Sequence, residues 1–441
     1  MFKTLIDAFK SKDIRKKLLI TLGLLVIFRL GAWIPVPGLN TEVFASYVSS
    51  EGQTFLQLMS AISGGALANG AILALGVSPY ITSQIIMQLL TMAIPALERL
   101  TKQGEEGRKK ITTITKYVAL LLAIAQAIAI TVSFASNGGI QTELFGAGQD
   151  WITYIMVVCV LVFGAMFTMW LGEKITALGT ANGLSLLIFV GILSTATYAL
   201  YTSFVSVFTT GNIDALWNIL IFLVALLLIF FLIAFMDMAE RKVPIQYAKQ
   251  MKGRKMYGGQ NTYVPIKVLG TGVLPIIFAM SLLSFPQIIM SIFWPLSDAV
   301  VWYSTYLGAG SWAYSIVVGF LILGFSYFIN MMNFKPDDIS KQIQSNGGFI
   351  PGIRPGKTTA DYLAKISKRI TFFGALFLMF LTIIPTLVFK GIGGTMSGTS
   401  SLVNAFSATG MIIIVSVALE IDRQLQAQLI MKNYKGFLKW G

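Results

Sequence analysis

The chain has 441 residues, 55% hydrophobic and only 12% charged, with 33 Lys and Arg against 19 Asp and Glu. A soluble domain carries about 25% charged residues, so this composition, with a mean hydropathy of +0.75, excludes a string of soluble domains and points to one polytopic membrane unit. The absence of histidine and the single cysteine, Cys159, exclude His-based catalysis, His-ligated metals and any internal disulfide or Cys cluster, so neither metal nor cofactor is expected.

In chain order, Phe2, Leu5, Ile6 and Phe9 recur at helical spacing among lysines, an amphipathic segment over 1–17 expected on the membrane surface. A crossing helix needs about 20 apolar residues. Such segments stand at 18–35, 72–95, 115–135, 151–171, 184–206, 216–236, 270–293, 312–332, 370–389 and 402–420, the last polar at Asn404, Ser407 and Thr409. The first runs into Ile34-Pro35-Val36-Pro37-Gly38 without a small-x-small cleavage site, unlike a signal peptide. Between the first two spans, Phe55, Leu58, Met59 and Ile62 recur at helical spacing and Gly64-Gly65 ends the pattern. This stretch is either a half-helix and break beside a cavity at membrane depth or a helix on the external surface; the residues alone allow both.

Of the 33 basic residues, 31 fall on one set of alternate loops, Lys390 falls on the other, and Arg29 lies inside the first span. The positive-inside rule then places both termini in the cytoplasm, and the alternation supports an even span number. The charge of +14 is explained by topology, without invoking nucleic acid.

Gly76-Val77-Ser78-Pro79 opens the second span and Gly272-Val273-Leu274-Pro275 the seventh, and Pro95 and Pro286 follow near the far ends. Counterpart positions two and seven imply two five-helix halves, inverted because five is odd. Prolines inside the helices are expected to kink them. Gln84, Gln88, Gln126, Ser281 and Ser284 are uncharged polar residues within spans, read as interhelical glue or as exchangeable contacts.

Ion-coupled carriers and pumps place ionisable groups inside their spans; here only Arg29 is clearly so placed. No phosphate-binding Gly-x-x-x-x-Gly-Lys-Ser/Thr loop occurs. A passive conduit is therefore favoured over an enzyme, with a secondary transporter built on inverted repeats as the alternative.

Five runs carry a family resemblance: FRLGAWIPVPG (28–38), GGALANGAILALGVSPYITSQIIMQLL (64–90), MWLGEKITALGTANGLSLLIF (169–189), GRKMYGGQNTYVPIKV (253–268) and GGFIPGIRPG (347–356). In order and content they resemble the SecY/Sec61-alpha family, central subunits of protein-conducting channels. The resemblance implies an all-α polytopic fold of ten transmembrane helices, in two inverted five-helix halves around an hourglass pore. The halves would be 18–206 and 216–421, hinged at the external loop 207–215, with cytoplasmic loops 237–269 and 333–369 and a cytoplasmic tail 422–441. It implies a plug over 54–69 carrying Phe55, Leu58, Met59, Ile62, Gly64 and Gly65, and a pore ring of Val77, Ile81, Ile188, Ile192, Ile277 and Ile413. Phe406-Ser407-Ala408-Thr409-Gly410 departs from the family's pattern before Ile413. A lateral gate between spans two/three and seven/eight would hold Gln88, Gln126, Ser281 and Ser284. Lys249, Arg254, Lys255 and Arg354 would dock SecA or the ribosome, with contact to ribosomal RNA phosphate. Further implied partners are SecE, SecG, signal peptides, unfolded preproteins and membrane lipid, in a cell inner membrane. The ATPase activity would belong to a partner.

Overall fold

The computed structural model describes residues 2–49, 54–135, 138–140, 150–178, 182–210, 213–247, 250–252, 255–257, 261–293, 297–307, 311–393, 406 and 408–437. The helices of the first part are α1 (Phe2–Lys10), α2 (Lys12–Gly31), α3 (Thr41–Ser49), α4 (Thr54–Ile62), α5 (Ser78–Ala93), α6 (Pro95–Lys102), α7 (Glu105–Ala135), α8 (Asp150–Leu178), α9 (Gly183–Thr210) and α10 (Ile213–Met238). Strands β1 (Glu240–Tyr247), β2 (Gln250–Lys252), β3 (Lys255–Tyr257) and β4 (Asn261–Lys267) follow. Then come α11 (Leu274–Phe293), α12 (Asp298–Tyr306), α13 (Trp312–Asn333), α14 (Pro336–Ser345), β5 (Gly348–Phe349), α15 (Lys357–Gly393) and α16 (Ala408–Phe437).

Helices dominate because a segment in lipid must satisfy its backbone polar groups internally. Among the described residues six helices are long and apolar enough to cross a membrane. The pair α5–α6, bent by 106° where Ile94 turns extended ahead of Pro95, counts as a seventh when the two helices are taken as one span. The other three expected spans also have helices at their places. There α2 holds Arg15, Lys16, Lys17 and Arg29, α16 carries Glu420, Asp422 and Arg423, and the described apolar run of α11 is short. This is a multi-pass membrane protein.

Several boundaries differ from expectation. The first span's helix already begins at Lys12, so the amphipathic segment is only α1, parted from it at Ser11. It also packs within the protein besides any membrane surface: Ala8, together with Ile14 of α2, packs on Leu425, beside Ile421 and Leu429, while Ile6 and Phe9 stay exposed. Most of the expected hinge loop is helix, since α9 runs to Thr210 and α10 begins at Ile213. Likewise α15 starts within the expected cytoplasmic loop, and α16 continues through most of the expected tail. Charge alone does not end a helix, because Lys, Arg and Glu are good helix formers.

Pro79 and Pro275 do not kink their helices. Each is the second residue of its helix, where the missing N–H is one of the unpaired donors of the first turn anyway. Residues 63–77 are consequently a chain of turns, with Leu67, Leu73 and Leu75 fully buried. Their donors are satisfied locally, as in Asn69 N–H to Gly65 O and Gly76 N–H to Leu73 O, or across to Ile34 O from Ile72 N–H. Non-helical backbone survives at membrane depth only with such internal satisfaction.

The fold is not wholly α. β1 pairs antiparallel with β4, and β5 adds to β1 at Gln246 and Tyr247, so the two large basic loops share one sheet. The alternation Val243 in, Pro244 out, Ile245 in is a strand signal that the sequence carries between two helical spans.

By packing, the chain groups into one unit of Met1–Leu220, Ser281–Tyr314 and Lys390–Gly441 and another of Ile221–Met280 and Ser315–Phe389. The first has a core of Leu67, Leu75, Phe134, Val157 and Leu161, into which the small Ala123 and Ala127 let α7 approach closely. The second has a core of Val243, Ile245, Ile266, Ile343, Ile350 and Leu363 beneath the sheet.

Candidate functional site

The half-helix α4 is built and stopped by its own sequence. Gly65 N–H bonds to Ser60 O at 2.7 Å and Gly64 N–H to Ala61 O at 3.2 Å, the paired bonds of a Schellman C-cap. That cap needs a left-handed residue, and Gly64 supplies it at φ 73°. The capped end sits on α9. A Cβ on Gly64 would lie 2.9 Å from Gly191 Cα, and one on Gly65 would lie 3.6 Å from Thr195 Cγ2. Gly191 is flanked on α9 by the expected ring residues Ile188 and Ile192, both buried. From α2, Arg29 Nη1 donates to Gly64 O at 2.9 Å. Met59 and Ile62 are buried on α4, whose backbone also carries Phe55 and Leu58.

Val77 is buried at the end of the returning turns, directly after Gly76, which lies against Ser63. Ile81 follows one turn into α5 and is half-buried. Ile413 is buried on α16, a helix that packs on α9. Ile277 belongs to the second unit and is also half-buried.

The expected repeat has a backbone counterpart. Gly76 and Gly272 both take positive φ, 53° and 61°. Each donates its N–H to the carbonyl three residues earlier, Leu73 and Leu269, at 2.9 and 3.0 Å. Ile81 N–H then reaches Val77 O at 3.1 Å, and Ile277 N–H reaches Val273 O at 3.3 Å. The equivalence ends beyond this point, since Pro95 lies at a sharp break between helices and Pro286 inside α11.

The gate residues are not brought together as a bonded pair. Ser83 Oγ donates to Thr115 O at 2.5 Å, and Tyr80 packs on Ala119, which sets α5 antiparallel to α7. Gln88 lies onward from Ser83 toward one end and Gln126 onward from Thr115 toward the other. At about 1.5 Å per residue the two glutamines are about 24 Å apart along the helices. A hydrogen bond between them is therefore excluded in this structure. Gln126 Oε1 is buried and has no partner among the described residues. Ser281 is half-buried, and Ser284 lies one turn further on α11.

Two consequences can be measured on the purified complex. Gln126→Leu is expected to leave the unfolding midpoint unchanged or raised, because it removes a buried amide oxygen that has no partner among the described residues. Gln88→Leu and Gln126→Leu are expected to add within about 0.5 kcal/mol, as distant sites do. A larger coupling energy would overturn this helix register.

A polar cluster missed from sequence lies at the same level. Lys116 Nζ bridges both Glu173 oxygens, at 2.7 and 2.8 Å, joining α7 to α8. Glu173 stands in one of the quoted runs and Lys116 at the head of the third span, so the residues were visible and their pairing was not.

In the second unit Arg354 is exposed on a pinned turn. Thr359 Oγ1 donates to Arg354 O at 2.8 Å and Ser340 Oγ to Gly356 O at 2.7 Å, while Gly352 and Gly356 take positive φ. Lys255 opens β3; Lys249 and Arg254 lie outside the described residues.

The SecY family model matches residues 71–421 of this chain. The chain is 38% identical over 450 residues to the protein translocase subunit SecY of Streptomyces lividans, covering all of both chains. It is 37% identical over 453 residues to that of Halalkalibacterium halodurans, again covering all of both. Among solved structures, one described as a protein conducting channel aligns with TM-score 0.63 at 20% identity, over 92% of this chain and 90% of the other. Sec61 in a canine ribosome–channel complex aligns with TM-score 0.61 at 17% identity, over 93% and 91%. With the family model spanning most of the chain and relatives matched from end to end, the protein belongs to the SecY family.

Proposed function

We propose that this chain is the protein-conducting channel of a general secretory pathway, passing unfolded preproteins across the membrane and releasing transmembrane segments sideways into it. The observation that carries the reading is the seating of a Gly-capped half-helix on α9 at Gly191, between buried Ile188 and Ile192. A short element held at membrane depth by close backbone approach, beside aliphatic side chains, suits a removable stopper over a constriction.

In this reading Val77, Ile81, Ile188, Ile192, Ile277 and Ile413 form the constriction, and the matched turns at Gly76 and Gly272 support Ile81 and Ile277 as symmetry partners. Aliphatic side chains offer ions no ligands, so a narrow ring seals by dewetting. They also fit around an extended chain of any sequence. Two five-helix halves part at the lateral gate, where signal peptides enter and membrane lipid is exposed. SecE and SecG complete the channel, and both termini face the cytoplasm of a cell inner membrane. SecA or the ribosome drives transport, docking on the shared sheet and the Arg354 turn, the latter suited to carboxylate or ribosomal RNA phosphate.

The test is a preprotein stalled in vesicles holding the chain with SecE and SecA. A photo-crosslinker at position 81, 192 or 277 is expected to capture the preprotein when ATP is present. One in place of Leu121 or Phe231, which are exposed on helix surfaces, is expected not to. Equal capture at both sets would overturn the proposed path.

A further inference from the structure

We infer that Arg29 is a positioning residue that latches α4 in its seat through the Gly64 carbonyl. The inference rests on reading α4 as the element that closes the conduit.

Arg29 stands in the last turn of α2, inside the first apolar span and 35 residues before the group it holds. A cation is costly there unless it is given acceptors. Its Nη1 donates to Gly64 O at 2.9 Å, the carbonyl directly after the Schellman bonds close α4. A helix C-terminus carries partial negative charge, so a guanidinium at that place is favoured by the dipole as well as by the bond. Gly64 is also confined from the other side by Gly191 Cα, so the capped end is clamped between α2 and α9 with no room for a methyl group.

The seat is well suited to release. Among the described residues the capped end is held by the Arg29 bond, the close approach of Gly64 to Gly191 and the contact of Gly65 with Thr195, beside the helix's own buried Met59 and Ile62. A bond from a charged donor is about twice as strong as a neutral one in a dry site. If α4 leaves, the guanidinium needs new acceptors, and water admitted to the opened conduit can supply them. Dryness therefore strengthens the latch and wetting weakens it, which makes unseating and hydration cooperative. Arginine suits this role better than lysine because its planar fork reaches a fixed carbonyl with little further ordering.

The experiment uses the channel assembled with its partner subunits, as Arg29→Met, Arg29→Lys and Gly64→Ala. The last keeps the charge but places a methyl group against Arg29 and Gly191, at a left-handed φ. Two quantities are read: amide hydrogen exchange over residues 54–65, and resting ion conductance in planar bilayers. Exchange in that segment is expected to rise about tenfold in Arg29→Met and Gly64→Ala and less in Arg29→Lys, with exchange in α7 and α8 unchanged. Increased conductance alongside would support both the latch and the closing role. Faster exchange with unchanged conductance would support the latch and overturn the closing role of α4. Unchanged exchange in Arg29→Met would overturn the latch, whatever Gly64→Ala or the conductance shows. An equal rise in α7 and α8 would overturn it too, showing a general structural role.

Discussion

Ile81→Asn combined with Ile277→Asn is expected to raise resting ion conductance about tenfold or more, while Ile81→Leu with Ile277→Leu leaves it near the starting value. Both isoleucines stand one turn past a left-handed glycine, and both donate to the carbonyl of the valine after it. Matching turns place them at matching positions of the proposed inverted halves. A narrow aliphatic neck repels water, and an ion entering it sheds hydration without replacement ligands. An amide of similar size supplies those ligands, whereas leucine does not. A tenfold rise needs only about 1.4 kcal/mol off the barrier, less than an unpaired buried amide costs in the dry state. Both side chains are half-buried, so assembly is expected to survive. The asparagine pair is also expected to pass preproteins with defective signal sequences, since a wetted neck lowers the barrier to opening. Single-channel recordings decide the matter: equal conductance in the asparagine and leucine pairs would shift the seal from the ring to α4.

Arg354→Glu is expected to reduce SecA-driven transport by at least about tenfold while leaving the unfolding midpoint within about 2 °C. The side chain is exposed and the backbone does the structural work: the Arg354 carbonyl accepts from Thr359 and Gly356 O from Ser340. Charge reversal at an exposed site costs little stability. At a docking face it turns an attraction for carboxylate or phosphate into a repulsion. The measurement is ATP-driven import into vesicles at matched channel content, beside thermal unfolding of the same complex. Normal import would remove the Arg354 turn from the docking surface; a large fall in the midpoint would make it a structural turn.

Much of this is legible in the amino-acid sequence alone. Runs of apolar residues place a helix at each of the ten expected spans, because partition into lipid is decided within a window of about 20 residues. Gly64-Gly65 marks the end of α4 because a Schellman cap is a local event, completed within six residues. The Gly-x-x-Pro pair marks two equivalent helix starts for the same reason, although proline was expected to bend the helices and instead begins them. The sheet was also legible in principle, in the alternation around Val243 and Ile245. Partnerships between distant residues were not. Gln88 and Gln126 are expected at one gate on neighbouring spans, yet the Ser83–Thr115 bond sets a register that keeps them apart, and Gln126 Oε1 has no partner among the described residues. Lys116 meets Glu173 across 57 residues, Arg29 meets Gly64 across 35, and β5 joins two basic loops into one face. Hydropathy, capping and turn chemistry are properties of a segment and its solvent, so the sequence by itself determined where the helices lie and where α4 stops. Which side chain meets which depends on the sliding and rotation of one helix against another. That register is set by packing across the whole unit, so only the tertiary structure decided that the lone intramembrane arginine would close on Gly64.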